Sequence, residues 1–150
     1  MTRQRMVRVE QRPSTGTVLV RALYDTYPDG RAFDRQTLID DVELNFTEFG
    51  YYGLSLWLVT ARWPLERVLA EKARKARRAA LFDAGALLAS GLGLVPSGKH
   101  PHYDATHGDV YGTTYGPVEV TAGSASALVD QFLATAYDVI SNDHYQQDPS

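Results

Sequence analysis

Between Lys99 and His107 the chain reads KHPHYDATH, and here it gathers the side chains best suited to moving protons or holding a metal. If the segment is extended, period-two alternation places His100, His102 and Asp104 on one face, with Tyr103 and His107 on the other. Acid–base catalysis without a metal would have His102 move a proton while Asp104 fixes its tautomer and Lys99 steadies an anion. That is the outline of a small phosphodiesterase or a toxin-like ribonuclease. As a metal site, His100, His102 and Asp104 are acceptable ligand types, and His107 joins them only if the strand bends. A polar loop among prolines and glycines would show the same composition with no chemistry. The catalytic set to test is His102, Asp104 and Lys99, with no metal and no cofactor expected.

Two near-motifs fail on physical grounds. Gly93 to Lys99 fits G-x-x-x-x-G-K, but a phosphate loop continues with a serine or threonine and a helix, and here His100 and Pro101 follow. Gly53-Leu54-Ser55-Leu56 begins a nucleophile elbow, yet Trp57 stands where a second glycine should permit the sharp turn. On that ground Ser55 is set aside. Asp40 and Asp41, adjacent in a helix, point about 100° apart and cannot converge on one ligand. Cysteine is absent, which removes disulfides, thiolate ligands and a cysteine nucleophile.

The net charge of −3 hides a block pattern. Residues 1–24 carry +4, 25–61 carry −5, 62–78 carry +5, and the remainder carries −7 with Lys99 its only base. The second basic block predicts an amphipathic helix from Pro64, with Leu65, Leu69, Ala73 and Ala76 inward and a cationic outer side. Its partner-binding candidates are Arg67, Arg74, Lys75, Arg77 and Arg78. Such a face suits a protein partner or a second copy of the chain, with RNA as another candidate.

The remaining elements must position these residues. Gly16–Tyr24 is rich in β-branched residues and predicts a strand ending at the Pro28-Asp29-Gly30 turn. Arg21 lies within it, facing an edge or a counter-charge, and is given no role. Asp34 caps a helix through Leu44 whose acids, Asp40, Asp41 and Glu43, face water. An aromatic connection then leads to Leu54–Val59, which is apolar throughout and predicts a central strand. At Leu81 the helical register of the basic block fails. A strand Arg78–Phe82, with Asp83 capping a second helix Ala84–Ser90, accounts for the slip. Further strands are expected at Leu92–Val95, Pro101–His107 and Val118–Thr121. A helix capped by Ser124 comes next, followed by a segment Ala136–Ser141 that suits helix or strand.

The fold class is therefore α/β in the mixed α+β sense: a single domain, 16–142, with a central mixed sheet and about four helices. Residues 1–15 read as a flexible basic arm and 143–150 as a flexible tail. No run approaches the roughly 20 apolar residues of a membrane span, so a soluble cytoplasmic protein is expected, with no membrane partner. The function expected is that of an interaction or accessory protein with a charge-segregated surface, and the hydrolase or ribonuclease built on His102 is the alternative.

Overall fold

The computed structural model describes residues 3–24, 34–107, 115–118 and 123–146. The expected Pro28-Asp29-Gly30 turn, most of the Val118–Thr121 strand and the last residues of the tail lie outside them. Among the described residues, eight strands and four helices follow one another as β1 (Met6–Val7), β2 (Val18–Leu23), α1 (Arg35–Phe49), β3 (Leu54–Leu58), α2 (Leu65–Glu71), β4 (Arg78–Asp83), α3 (Ala84–Ala89), β5 (Gly93–Val95), β6 (His102–Thr106), β7 (Gly116–Pro117), α4 (Ala125–Leu133) and β8 (Asp138–Ser141). Six strands form the main sheet in the order β5-β6-β3-β2-β4-β8, and β1 pairs with β7 in a small second sheet. Each ladder is antiparallel, so the mixed sheet expected from sequence resolves into an antiparallel one. No described helix is long and apolar enough to cross a membrane.

Alternation divides the core between the two faces of the sheet. Leu19, Leu23, Leu54, Leu56, Ala80, Phe82, Tyr103 and Ala105 pack with residues of α1, α3 and α4 on one face. Val20, Ala22 and Ala79 meet Val68 and Leu69 of α2 on the other. Local chemistry fixes the helix starts: Asp34 accepts from the Thr37 amide, Asp83 from Ala86 and Ser124 from Ala127. Gly50, at φ 82°, closes α1 in the left-handed region that a side chain would resist. The break at Leu81 is thus real: β4 ends at Asp83, which caps α3.

The basic block departs from its expected form. Helix α2 stops at Glu71, and Ala73 and Ala76 reach the same apolar layer from turns. The cause lies far along the chain. The buried Asn142 amide donates to the carbonyls of Ala73 and Ala76 at 2.9 and 3.0 Å, and to that of Leu69 at 3.4 Å. These donations satisfy carbonyls that a continued helix would have bonded internally. Of the five basic candidates only Arg67 is helical; Arg74, Lys75 and Arg77 are exposed on the loop that follows, and Arg78 opens β4. Arg67 is already engaged, ion-paired to Glu71 at 2.7 Å with its guanidinium 3.7 Å from the Trp63 ring centroid. A single cationic helix face is therefore not formed.

Candidate functional site

The site grows out of the β3–β6 ladder. Ser55 stands opposite Asp104 and Trp57 opposite His102. Directly opposed residues of an antiparallel pair share a face, so all four side chains project to one side, with Ser55 and His102 as diagonal neighbours. The Ser55 hydroxyl lies 3.0 Å from His102 Nε2. His102 Nδ1 lies 3.0 Å from the Ser97 backbone carbonyl, which can only accept, so Nδ1 carries the proton. In the neutral ring the Nε2 lone pair is left to receive the Ser55 proton. Burial pushes the His102 pKa below its ordinary value and Arg5 and Arg8 push the same way, outweighing the opposing pull of Asp104 and of the Ser97 carbonyl.

Asp104 is fully buried and anchors the network beneath. Its Oδ2 accepts from the Tyr51 hydroxyl, from Ser97 Oγ at 2.7 Å and from Arg5 at 3.4 Å. Burial, reinforced by the neighbouring Asp104 carboxylate, raises the Tyr51 pKa and keeps that hydroxyl a donor. Gly53 makes the close packing feasible, because a Cβ there would stand 3.0 Å from the Tyr51 ring and 3.3 Å from Asp104 Cβ. Oδ1 of Asp104 has no hydrogen-bond partner among the described residues; His102 Nε2 is 4.0 Å away. At 4.0 Å from Nε2, Asp104 is beyond hydrogen-bond distance and does not fix the His102 tautomer as expected from sequence; the Ser97 carbonyl takes that place.

The N-terminal residues complete the network. Met6 accepts from the Gly98 amide, and Arg8 donates from its backbone to Pro96 and from its side chain to the Ser97 carbonyl. Arg5 stacks on the Phe49 ring, 3.8 Å from its centroid, while reaching Asp104. Glu10 accepts from Arg8, Tyr103 and His100, bonds that outweigh burial and lower its pKa. His100 is thereby turned to Glu10, and His107 bonds Gln131 at 2.7 Å. The histidines do not converge, and no described group of three potential ligands is arranged to hold a metal. Lys99 is exposed and makes no side-chain hydrogen bond among the described residues.

Two cavities meet beside Ser55. Strands β2 and β3 are in register at Leu19–Leu58 and Val20–Trp57, and Arg21, the next residue of β2, lines both cavities. Its guanidinium donates to the Ser55 carbonyl and to Asp41 on α1, each at 2.9 Å. One cavity, of about 220 Å³, is lined by Arg5, Arg21, Asp41, Asn45, Glu48 and Ser55 among others. The other, of about 330 Å³, is lined by Arg21, Ala22, Tyr24, Thr37, Asp41, Ser55 and Trp57. Arg21, Asp41 and Ser55 belong to both. Comparison with protein-family models, curated proteins and solved structures finds no match to the chain.

Sequence reasoning set Ser55 aside, allowed Arg21 a counter-charge without naming Asp41, and missed Ser97, Tyr51 and Arg5. Asp41 faces water as expected, yet it is also ion-paired to Arg21 at 2.9 Å, and desolvation, with Asp40 adding to it, raises its pKa despite the pull of Arg21. An arginine inside an apolar strand was the one local signal, because such a charge demands a partner.

Proposed function

We propose that this cleft is the active site of a small metal-independent hydrolase acting on esters, with Ser55 as nucleophile and His102 as general base. The observation that carries the reading is the 3.0 Å contact between Ser55 Oγ and a His102 Nε2 whose partner nitrogen is committed to a carbonyl. As Oγ bonds the ester carbon, its proton passes to Nε2, and the imidazolium then protonates the leaving alcohol as the C–O bond breaks. Water attacks the acyl-serine with His102 again taking the proton, which returns to Oγ as the acid departs. Asp104, Tyr51 and Ser97 act as positioning residues for the loop that carries the accepting carbonyl.

The test is hydrolysis of p-nitrophenyl acetate followed at the nitrophenolate band. Ser55→Ala should lower kcat by about 10²-fold or more while leaving the fold unchanged by circular dichroism. Equal rates in wild type and variant would remove the assignment.

A partner surface at the basic block is a second reading, favoured by the exposure of Arg74, Lys75 and Arg77 on a loop whose carbonyls are pinned by Asn142. Contacts made by exposed charges fade with salt over a screening length of about 8 Å at 0.15 M. Reversing Arg74 and Lys75 to glutamate should abolish salt-sensitive binding to single-stranded RNA or to an acidic protein without lowering Tm. Binding that survives the reversal would exclude this loop.

A further inference from the structure

Strands β2 and β3 part beside the proposed nucleophile. The Val59 amide donates to the Val18 carbonyl at 2.9 Å, and Val20 is in register with Trp57. Backbone groups of an antiparallel strand turn to one neighbour and then the other, so Val18, Val20 and Ala22 present theirs to β3, while Trp57 and Ser55 present theirs to β2. The next rung would join Ala22 to Ser55, but among the described residues the ladder ends at Val20–Trp57. Leu56 is turned the other way, toward Tyr103 of β6, and so is Leu58, whose amide donates to the Pro101 carbonyl at 2.9 Å. The rungs to β6 thus hold Ser55 extended while its own N–H and C=O face the opening. Arg21 takes the carbonyl, donating from Nη1 at 2.9 Å, and so competes with the Ala22 amide for the acceptor that would close the ladder. No rung takes the N–H, and Ala22 and Ser55 both line the cavity of about 330 Å³.

We propose that the Ser55 backbone N–H is the oxyanion donor of the cleft, receiving the carbonyl oxygen of the ester in the opening between β2 and β3. The inference rests on the hydrolase reading, in which Ser55 Oγ bonds the ester carbon and the carbonyl oxygen takes up the negative charge. Nucleophile and donor then belong to one residue, an arrangement in which a serine lends its own amide to the oxygen of the carbon it attacks. A donor that faces the cavity and is released from the ladder needs no rearrangement when the charge develops, which is the condition for a strong effect on the barrier. The proton that leaves Oγ passes to His102 Nε2, so the N–H of Ser55 stays a donor throughout.

Replacing the Ser55 N–H by an ester oxygen, with glyceric acid inserted at that position of the full chain, removes the donor and leaves Oγ and His102 in place. With p-nitrophenyl acetate, kcat should fall about 10²- to 10³-fold, the loss expected when one oxyanion donor is removed. The same replacement at Leu56, with leucic acid, supplies the structural comparison, because the Leu56 N–H belongs to the β3–β6 ladder. Tm should fall less for the change at Ser55 than for the change at Leu56. In the unmodified chain, amide hydrogen exchange followed by NMR should be about a hundredfold or more faster at Ser55 than at Leu56 and Trp57, its ladder-bonded neighbours. An unchanged kcat, a Tm loss equal to that at Leu56, or a Ser55 amide as protected as that of Leu56 would each overturn the oxyanion assignment, even where Ser55→Ala abolishes hydrolysis and the hydrolase reading stands. Absence of any Ser55-dependent hydrolysis in the unmodified chain would remove the hydrolase reading and the oxyanion donor with it.

Discussion

Replacing His102 with alanine is expected to lower kcat for p-nitrophenyl acetate by about 10²- to 10⁴-fold, the range attributed to a positioned general base. The pH profile supplies a check that a purely structural role would not move. His102 acts only when neutral, and burial holds its pKa below the ordinary 6.5. Wild-type activity should therefore rise along an acid limb centred below pH 6.5 and stay level through neutrality. In His102→Ala the residual rate should lack that limb and instead climb with hydroxide. A wild-type profile centred above pH 7 would contradict the buried, desolvated base.

The same shift has a consequence for stability. A histidine whose folded pKa is depressed binds its proton more readily in the unfolded chain, so stability rises with pH wherever the unfolded state holds more protons. Its penalty is absent above pH 6.5 and grows as pH falls through 6.5 toward the folded pKa. Asp104, Ser97 and Ser55 face the ring directly, and Arg5 and Arg8 add positive charge that deepens the penalty. Between pH 7 and 5, Tm of wild type should fall more steeply than Tm of His102→Ala.

What the sequence made legible was whatever could be decided within a few residues. The break before Asp83 was visible because two period rules conflict at Leu81, and one carboxylate resolves the conflict by capping α3. The shared face of His102 and Asp104 followed from alternation alone. The end of α2 did not, since Ala73 and Ala76 point into the same layer whether the backbone is helical or turned, and the deciding amide belongs to Asn142. Ser55 was dismissed for lacking a glycine at position 57, a sound objection to an elbow. Its relation to His102 comes instead from strand register, set by two segments more than 40 residues apart, and no local pattern carries that information. The Tyr51 and Arg5 contacts to Asp104 are of the same long-range kind.

Phe82→Ala should cost about 3 to 5 kcal/mol, the largest stability loss expected from any single truncation considered. Phe82 is 1% exposed, with its ring centroid 4.7 Å from that of Phe132 on α4 and 5.4 Å from that of Tyr137. Strand β4 lies between β2 and β8, so the cavity left behind would be walled by ladders that hold their neighbours in place and limit collapse. With a domain stability of about 5 to 15 kcal/mol, the loss removes a large share of the total. Urea unfolding at a slope of about 1 to 3 kcal/mol per molar should show a midpoint lower by about 1 M or more. Leu81 provides the comparison, because it points to the opposite, half-buried face and Leu81→Ala should cost less. Equal losses at the two positions would mean that the two faces of β4 are not distinguished, and with them would go the separation of the core under α1, α3 and α4 from the face on which α2 packs and Ser55 and His102 meet.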